Sequence, residues 1–229
     1  MQVSLIVFDM AGTTVTDKGA VAQAFVQAFK DFDYTVEEAE VNPLMGYKKP
    51  EAIHIILERL GVAHITPELT QNIHTSFVNH MLAYYRTSPD IKPLPGTETV
   101  LQQLKAKGIQ IGLDTGFSKD IAHVIVDRLG WKTNGLIDYV VASDEVPEGR
   151  PHPYMIRKMM EAAGITDPQQ VIKVGDTEVD INEGKNAGCL YSIGVTTGAF
   201  TREELLPYAP SHIIDNLQEL LPILEPNYV

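Results

Sequence analysis

The chain has 229 residues, of which 44% are hydrophobic and 21% are charged, and its formal net charge is -12. A chain of this length can bury a sizeable core, and it fits one large domain or a domain with a smaller insertion. Because so acidic a chain repels polyanions, this charge excludes general binding to nucleic acid or to an anionic membrane. A small phosphorylated partner stays compatible if a divalent cation and a few local basic groups neutralise it.

The cysteine content and the N-terminus restrict where the protein works. The single cysteine, Cys189, cannot form an internal disulfide, and its place between Gly188 and Leu190 is typical of packing rather than of a nucleophile. The segment MQVSLIVFDM lacks the basic region and cleavage site of a signal peptide, and no stretch reaches the ~18 apolar residues that cross a bilayer. We therefore expect a cytoplasmic protein in a reducing compartment, with monomer and homodimer both open.

The first predicted strand, residues 3–8, is followed by a segment without any convincing strand. Helical patterns cover residues 20–32, 50–60 and 67–85. Downstream, the sequence SPDIKPLPG contains Pro89, Pro93 and Pro95, which prevent a helix and stiffen a hinge. We therefore predict an all-helical cap domain at residues 17–88, inserted into a core domain formed by residues 1–16 and 89–229.

Beyond the hinge, helical patterns and short β-branched runs alternate. The runs cover residues 109–113, 139–142, 171–174 and 191–195, and their nearly continuous apolar character is typical of strands covered on both faces. The helical patterns cover residues 97–107, 119–129, 153–163 and 181–187. This alternation predicts an α/β fold, a Rossmann-like doubly wound parallel sheet.

Asp9 directly follows the first predicted strand and precedes the turn AGTT. Ligands of open parallel sheets bind beyond the carboxyl ends of the strands, which is where Asp9 falls. Gly12 permits a tight turn beside a ligand, and Thr13 supplies hydroxyl and amide donors to an oxyanion. A lone Asp-x-x-Gly is as often a turn or a helix cap, so this motif alone leaves both interpretations open.

Three further motifs fall at the same predicted sheet edge. Thr115 in LDTGFSK and Asp176 in VGDTEVD follow strands, and GRPHP supplies Arg150. Each residue taken separately has an ordinary explanation as a helix cap or a surface cation. Their coincidence at one edge with Asp9 indicates an active site, in which Thr115 and Arg150 would hold phosphoryl oxygens, Arg150 through its bidentate fork.

The carboxylates suggest a division of roles. Asp9 would be the nucleophile, splitting hydrolysis into formation and breakdown of an aspartyl-phosphate. Mg²⁺, a hard cation, would take oxygen ligands from Asp9, Asp176 and the backbone carbonyl of Ala11. Asp180, four residues after Asp176, would bind a metal-ligated water or orient its neighbours together with Thr177.

These motifs carry a resemblance to a known family. DMAGTT, Thr115, Arg150 and GDTEVD match in order the four motifs of the haloacid dehalogenase superfamily, and the helical insertion resembles its cap domain. Through MGYKK, DEVPEGRPHPYM and KVGDTEVDINEGKNAG the chain most resembles phosphonoacetaldehyde hydrolase (phosphonatase) and phosphonatase-like proteins. The resemblance implies Mg²⁺-dependent hydrolysis of a small phosphonate or phosphorylated metabolite. The substrate-binding residues that it implies are Ala11, Gly12, Thr13, Met45, Gly46, Gly116 and Phe117.

Ala11 and Lys49 bear on the type of leaving group. Ordinary phosphatases of this superfamily carry an acid two residues after the nucleophile, and this chain has Ala11 there. A leaving group that needs no proton from that side is therefore favoured, such as a carbanion that a protonated imine converts into an enamine. The resemblance selects Lys49 of MGYKK as the imine-forming lysine, and the adjacent cation Lys48 could lower its pKa. A surface lysine at a helix start is the alternative.

Some positions depart from the phosphonatase pattern. Ala52 stands where the family has a histidine, Phe117 where it has a tyrosine, and Met10 where it has a tryptophan. These departures argue against phosphonoacetaldehyde itself as the substrate. A phosphatase for small phosphate esters or acyl phosphates and a non-enzymatic binding module stay open, whereas Asp176 and Asp180 argue against a metal-free dehalogenase.

Overall fold

The computed structural model describes residues 3–225. Within them, one sheet contains six strands in the spatial order β3-β2-β1-β4-β5-β6, and every neighbouring pair is parallel. The order reverses beside β1, which places a topological switch point at the carboxyl end of the central strand. The strands are β1 (Leu5–Asp9), β2 (Gln110–Thr115), β3 (Tyr139–Ala142), β4 (Val171–Gly175), β5 (Tyr191–Val195) and β6 (His212–Ile214).

Helices cover both faces of the sheet, and the side-chain alternation of β1 shows how. Ile6 and Phe8 belong to one apolar cluster with the helices that follow the hinge, whereas Leu5 and Val7 pack in a second cluster with Met159. The helices of the core are α5 (Thr97–Ala106), α6 (Lys119–Leu129), α7 (Tyr154–Ala163), α8 (Glu178–Ala187), α9 (Arg202–Leu205) and α10 (Leu220–Ile223).

The segment between β1 and β2 is helical, as predicted. Its long helices pack against each other through aromatic side chains, with the ring centroids of Phe25 and Phe77 4.6 Å apart. Its helices are α1 (Ala20–Lys30), α2 (Glu38–Val41), α3 (Lys49–Arg59) and α4 (Pro67–Thr87). The predicted fold class, a Rossmann-like α/β core with an inserted helical cap, is confirmed. The domain boundaries at residues 16/17 and 88/89 stay a prediction.

The chain crosses between core and cap along two adjacent segments. Val15 forms an isolated antiparallel bridge with Pro93, and the Thr16 amide donates to the Lys92 carbonyl at 3.0 Å. The Leu94 amide donates in turn to the Thr14 carbonyl at 3.0 Å. The two crossings are therefore tied together beside the sheet edge that carries Asp9.

The structure differs from the sequence prediction at several elements, among them the short helices α2, α9 and α10, which were not predicted. β6 was not predicted, because three residues are too few to show a strand period. α8 begins at Glu178, three residues before the predicted start, since Thr177 and Asp180 form a capping box. The cysteine behaves as predicted: Cys189 packs against the apolar core, and burial raises the pKa of its thiol to about 12.

Among residues 3–225, no helix is both long enough and apolar enough to cross a bilayer.

Candidate active site

A cavity of about 270 Å³ lies between the carboxyl ends of the central strands and the cap. The core contributes Asp9 at the end of β1, Thr115 at the end of β2 and Asp176 after β4. The cap contributes Met45 and Lys49. Asp9 and Asp176, 167 positions apart in sequence, therefore meet in one concave site.

Most residues singled out from the sequence line this cavity. They are Asp9, Ala11, Gly12, Met45, Gly46, Lys49, Thr115, Gly116, Phe117, Asp176 and Thr177. Thr13, Arg150 and Asp180 lie outside it, and each contacts a residue that lines it. The cavity also contains Asp17, which the sequence analysis did not single out.

The turn after Asp9 is held by internal hydrogen bonds. Gly12 has φ 89°, and a Cβ there would lie 2.7 Å from the Asp176 carboxylate, so only glycine fits. The Thr13 hydroxyl donates to Asp176 Oδ1 at 3.1 Å, and its amide donates to the Met10 carbonyl at 3.3 Å. Both donors of Thr13 are thus used within the protein. In this structure Thr13 positions Asp176, in place of the predicted contact with an oxyanion.

Asp9 and Asp176 are both buried, and neighbouring carboxylates destabilise the ionised form of each. Burial, with the charge of Asp180, raises the pKa of Asp9 to about 6 although Arg150 opposes the shift. Burial, Asp9 and Asp180 raise the pKa of Asp176 well above its ordinary value. The hydrogen-bond donors to Asp176 are neutral: the Ala199 amide at 2.6 Å and the Thr13 hydroxyl at 3.1 Å. This cavity-lining pair therefore has the electrostatic character of a cation site.

A second carboxylate group is also spaced for a metal. Oxygen atoms of Asp9, Asp114 and Asp180 all lie within 4.8 Å of one another, so this buried cluster could bind a metal ion. However, Arg150 Nη2 lies 2.7 Å from Asp9 Oδ1, and Lys173 Nζ lies 3.1 Å from Asp180 Oδ1; both also contact Asp114. Because two side-chain cations already neutralise that cluster, we favour the cavity side, with Asp9, Ala11 and Asp176, for an added ion.

Arg150 occupies a different place from the one expected. Its residue is 1% exposed, and the guanidinium pairs with Asp9, Asp114 and Asp180, and with Glu183 at 3.4 Å. The fork predicted to hold phosphoryl oxygens is therefore directed at Asp9 and the carboxylates next to it. Asp114 and Glu183 were not predicted to lie near Arg150, and phosphate was therefore the expected partner.

Lys173, Asp114 and Glu183 form a buried charge network that sequence reasoning missed. Asp114 is opposite Asp9 in the β1–β2 register, and Lys173 is opposite Val7 in the β1–β4 register, so their side chains share one sheet face. Burial and Arg150 act against it, but the three carboxylates raise the pKa of Lys173 above its ordinary value. A charged residue inside a strand covered on both faces requires a partner, and that was the available signal.

The cap reaches the core through the segment before α3. A Cβ on Gly116 would lie 2.6 Å from the Gly46 carbonyl, so this glycine lets the two backbones approach. Lys48 points away from the cavity, with Nζ 3.3 Å from the carbonyls of Val146 and Pro147. The next residue, Lys49, is directed into the cavity instead.

Lys49 is a buried amine surrounded by aromatic rings. It is 3% exposed, and its Nζ lies 5.6 Å and 5.4 Å from the ring centroids of Phe25 and Phe117. Nζ donates to the Tyr47 carbonyl at 3.2 Å. Burial lowers the pKa of Lys49 to about 8, and the neighbouring cation that adds to the shift is Arg150, in the role expected of Lys48.

Comparisons with known proteins agree with this geometry. The family model of haloacid dehalogenase-like hydrolases matches residues 6–193. The chain is a haloacid dehalogenase-like hydrolase. It is 32% identical over 219 residues to phosphonoacetaldehyde hydrolase of Bacteroides fragilis, covering 89% of this chain and 81% of that protein. It is 35% identical over 213 residues to phosphonoacetaldehyde hydrolase of Parabacteroides distasonis, covering 86% and 78%.

Solved structures share the fold of this hydrolase. A phosphonoacetaldehyde hydrolase-like protein from Oleispira antarctica superposes with a TM-score of 0.86 at 24% identity, covering 98% of this chain and 92% of that one. A predicted phosphoglycolate phosphatase from Haemophilus somnus superposes with a TM-score of 0.79 at 22% identity, covering 98% and 99%. At these identities the similarity establishes the fold, and the family relatives establish a hydrolase.

Proposed function

We propose that this hydrolase cleaves a small phosphonate or phosphorylated metabolite through an aspartyl-phosphate on Asp9, with Mg²⁺ and with a Schiff base on Lys49. The observation that carries the proposal is a buried amine with a pKa of about 8 in the same cavity as the nucleophile. The cavity of about 270 Å³ suits a small metabolite rather than a polymer. The curated relatives named phosphonoacetaldehyde hydrolase support the substrate class.

The nucleophile is oriented from behind. Arg150 Nη2 holds Asp9 Oδ1 at 2.7 Å, which leaves Oδ2 to attack phosphorus. The attack forms the Asp9 O–P bond and breaks the bond from phosphorus to the leaving group, and water then hydrolyses the acyl phosphate. Ala11 offers no acid to the leaving group, so activation must come from the cap side of the cavity.

Mg²⁺ would offset the carboxylate charge of Asp9 and Asp176 that the neighbouring side chains leave unneutralised. Asp9, Asp176 and the Ala11 carbonyl would hold it, because the donors that reach Asp176 are neutral and both carboxylates have raised pKa values. When bound, the ion supplies positive charge that offsets the phosphoryl oxygens. Thr115, at the end of β2, lines the same cavity and would bind a phosphoryl oxygen.

Lys49 would activate the leaving group of a carbonyl-bearing phosphonate. With a pKa of about 8, roughly a quarter of this amine would be neutral at about pH 7.5, against about one in a thousand for an ordinary lysine. A neutral amine can condense with a carbonyl to a protonated imine, which accepts the electron pair of the breaking P–C bond.

Borohydride trapping tests the Schiff base. The protein is incubated with borohydride and with phosphonoacetaldehyde, a probe for the class of carbonyl-bearing phosphonates that need not be the natural substrate, and peptide mass spectrometry locates the adduct. We expect reduction to attach the substrate carbon to Lys49 and not to Lys48, whose Nζ faces backbone carbonyls. The variant Lys49→Arg keeps the charge and should form no adduct. Turnover of the compound without any lysine adduct would reject the imine mechanism.

A phosphatase acting on small phosphate esters or acyl phosphates is the second candidate. The rings of Phe25 and Phe117 place apolar groups beside the amine, and the similarity to a predicted phosphoglycolate phosphatase is compatible with ester chemistry. This function requires Asp9 and not Lys49. It predicts that Lys49→Ala retains hydrolysis of acetyl phosphate whereas Asp9→Asn abolishes it, and equal loss in both variants would exclude it.

A further inference from the structure

Asp17 is fixed at the junction of core and cap. The preceding residue, Thr16, pairs with Lys92 in the hinge through a 3.0 Å backbone hydrogen bond. On the other side, Asp17 Oδ1 accepts hydrogen bonds from the amides of Ala20 at 2.8 Å and Val21 at 3.4 Å, at the start of α1. Both bonds use Oδ1, and the Gly19 amide is a further backbone donor to this carboxylate. The carboxylate is thus held in place where it lines the cavity.

Asp17 shares the cavity with Lys49 without forming an ion pair with it. Both side chains line the cavity, and the contacts of Lys49 Nζ are the Tyr47 carbonyl and two aromatic rings. The charge of each group shifts the pKa of the other, so the two groups interact across the cavity. A carbonyl compound bonded to Lys49 would lie in the same cavity as the Asp17 carboxylate.

The other titratable groups of the cavity either have another proposed role or are exposed to solvent. Among the described residues that line it, Asp9 and Asp176 serve as nucleophile and cation ligands, and Glu38 is exposed at the mouth. The Tyr85 hydroxyl, buried behind Phe117, has no hydrogen-bond partner, but burial and the charge of Asp17 raise its pKa well above the ordinary value. Lys49 also affects the pKa of His74, but His74 does not line the cavity, so Asp17 is the remaining acid–base group among the described residues that line it with the amine.

The charges around Asp17 and Lys49 are consistent with proton exchange near neutral pH. Burial raises the pKa of Asp17, against the amides of Val21 and Ala20 and the charge of Lys49. Burial and Arg150 lower the pKa of Lys49, against Asp9, Asp17 and Asp176. The two pKa values therefore move towards each other, which eases proton transfer in both directions.

We propose that Asp17 is the proton carrier of Lys49 in condensation with a carbonyl substrate. The inference rests on the proposed function and adds to it a catalytic residue. Asp17 first takes a proton from the Lys49 ammonium, and the free amine attacks the carbonyl carbon as the C=O π pair moves to oxygen. Asp17 returns its proton to that oxygen and takes one from the new C–N nitrogen. It then protonates the hydroxyl, which leaves as water while the nitrogen lone pair forms the protonated imine.

The proton balance of this sequence closes. One ammonium and one carbonyl give one protonated imine and one water, and Asp17 ends as the carboxylate it was at the start. No external acid or base is required. After P–C cleavage, protonation of the enamine carbon regenerates an imine. Hydrolysis of that imine is the reverse of condensation and would use the same carboxylate.

Helix capping alone is the competing role of Asp17, and two substitutions separate the roles. Asp17→Asn keeps an oxygen acceptor for the Ala20 and Val21 amides but cannot carry the proton, whereas Asp17→Ala loses both. Asp90→Asn is the matched control, because Asp90 is an exposed hinge carboxylate that pairs with Lys18 and does not line the cavity.

The measurement is the rate of Lys49 adduct formation with phosphonoacetaldehyde at pH 7.5, quenched with borohydride and counted by mass spectrometry. We expect both Asp17 variants to form the adduct about 100-fold more slowly than the unmodified protein, within the usual range for a lost acid–base group, and Asp90→Asn to stay within about twofold. A wild-type rate in Asp17→Asn would overturn the proposal and leave capping as the role. Electrostatics alone predicts faster condensation in Asp17→Asn, because the amine would lose a neighbouring negative charge; that result would overturn the proposal too.

Failure of the proposed function gives a different result. If the unmodified protein forms no adduct with the compound, with or without hydrolysis, the imine chemistry is wrong and the role of Asp17 is rejected with it, whereas an adduct that forms equally fast in Asp17→Asn rejects the role of Asp17 alone. Thermal unfolding provides a folding check, since Asp17→Ala should unfold at a lower temperature than Asp17→Asn. Small-carboxylate rescue extends the test to the smaller variant: about 100 mM formate should accelerate adduct formation in Asp17→Ala, and no acceleration there would count against proton transfer.

Discussion

At the scale of single residues, the cavity places two carboxylates, Asp9 and Asp176, where neither can carry its charge at low energy. The pKa of Asp9 is raised to about 6 and that of Asp176 is raised well above its ordinary value, with burial the largest cause. A carboxyl whose pKa rises on folding binds its proton more tightly in the folded state, so its contribution to stability decreases as pH rises towards neutrality. The site is thus strained at the pH at which an enzyme of this type works.

Mg²⁺ should relieve this strain, which gives a prediction on stability. The metal-free protein should unfold at a higher temperature at pH 6 than at pH 7.5, because Asp9 gains a proton between these values. Adding Mg²⁺ at pH 7.5 should raise the unfolding temperature by mass action. Asp176→Asn should raise the unfolding temperature of the metal-free protein at pH 7.5, because it removes a buried negative charge, and should abolish the response to Mg²⁺. Differential scanning calorimetry measures all three, and an unchanged Mg²⁺ response in the variant would exclude Asp176 as a ligand.

The same pKa shifts predict proton release on metal binding. Near pH 6 Asp9 is partly protonated, the raised pKa of Asp176 favours its protonated form as well, and a hard cation binds the ionised forms. Mg²⁺ affinity should therefore fall as pH decreases through 6, with protons released to the buffer. Isothermal titration calorimetry in two buffers of different ionisation enthalpy measures the number released. Affinity that is constant between about pH 5 and 8 would contradict raised pKa values at the metal ligands.

At the scale of elements, the buried charge network joins two strands and a helix. Lys173 on β4 contacts Asp114 on β2 and lies 3.1 Å from Asp180 and 3.2 Å from Glu183 on α8. Replacing Lys173 by methionine would leave these carboxylates with Arg150 as their cation, since all these side chains are fully buried. Breaking such a network from one side usually costs about 3–5 kcal/mol.

We therefore predict a loss of about 3–5 kcal/mol of unfolding free energy in Lys173→Met, measured by urea denaturation at pH 7.5. The matched control is Lys105→Met, which removes a half-exposed ion pair with Asp138 and should cost less than about 1 kcal/mol. Adding Asp114→Asn to Lys173→Met should recover part of the loss, because one buried charge disappears. A double variant that is as unstable as the sum of both single variants would show that the pair is not coupled.

The elements also show what sequence patterns can predict. Continuous apolar runs located all five predicted strands, β1 to β5, to within two residues at either end, because strands covered on both faces need such runs. The polar residues at the strand ends gave the site, since parallel strands share one carboxyl edge. The network around Lys173 was missed because its partners come from three separate elements and charge pairing between them depends on register. The orientation of Arg150 was wrong for the same reason.

At the scale of the whole molecule, the site is complete when the cap rests on the core. The segment that carries Lys49 is held by the Tyr47 hydroxyl, which donates to Glu178 Oε1 at 2.7 Å at the start of α8, and by Lys48 on the Val146 and Pro147 carbonyls. Substrate must enter before this contact forms, so the hinge near residues 15–18 and 89–95 is expected to open. The cap–core hydrogen bonds then set how often it is closed.

Tyr47→Phe tests whether this contact governs closure. Loss of one hydrogen bond of about 0.5–1.5 kcal/mol should raise KM by roughly twofold to tenfold, because a smaller fraction of the molecules is closed. Amide hydrogen exchange of residues 45–49 should accelerate by a similar factor. Tyr34→Phe is the matched control, since Tyr34 is a cap tyrosine whose hydroxyl makes no hydrogen bond with the described residues. If both variants leave KM and hydrogen exchange unchanged, the Tyr47–Glu178 hydrogen bond does not hold the cap closed. The contacts of Lys48 with the Val146 and Pro147 carbonyls would then be tested in the same way by Lys48→Met.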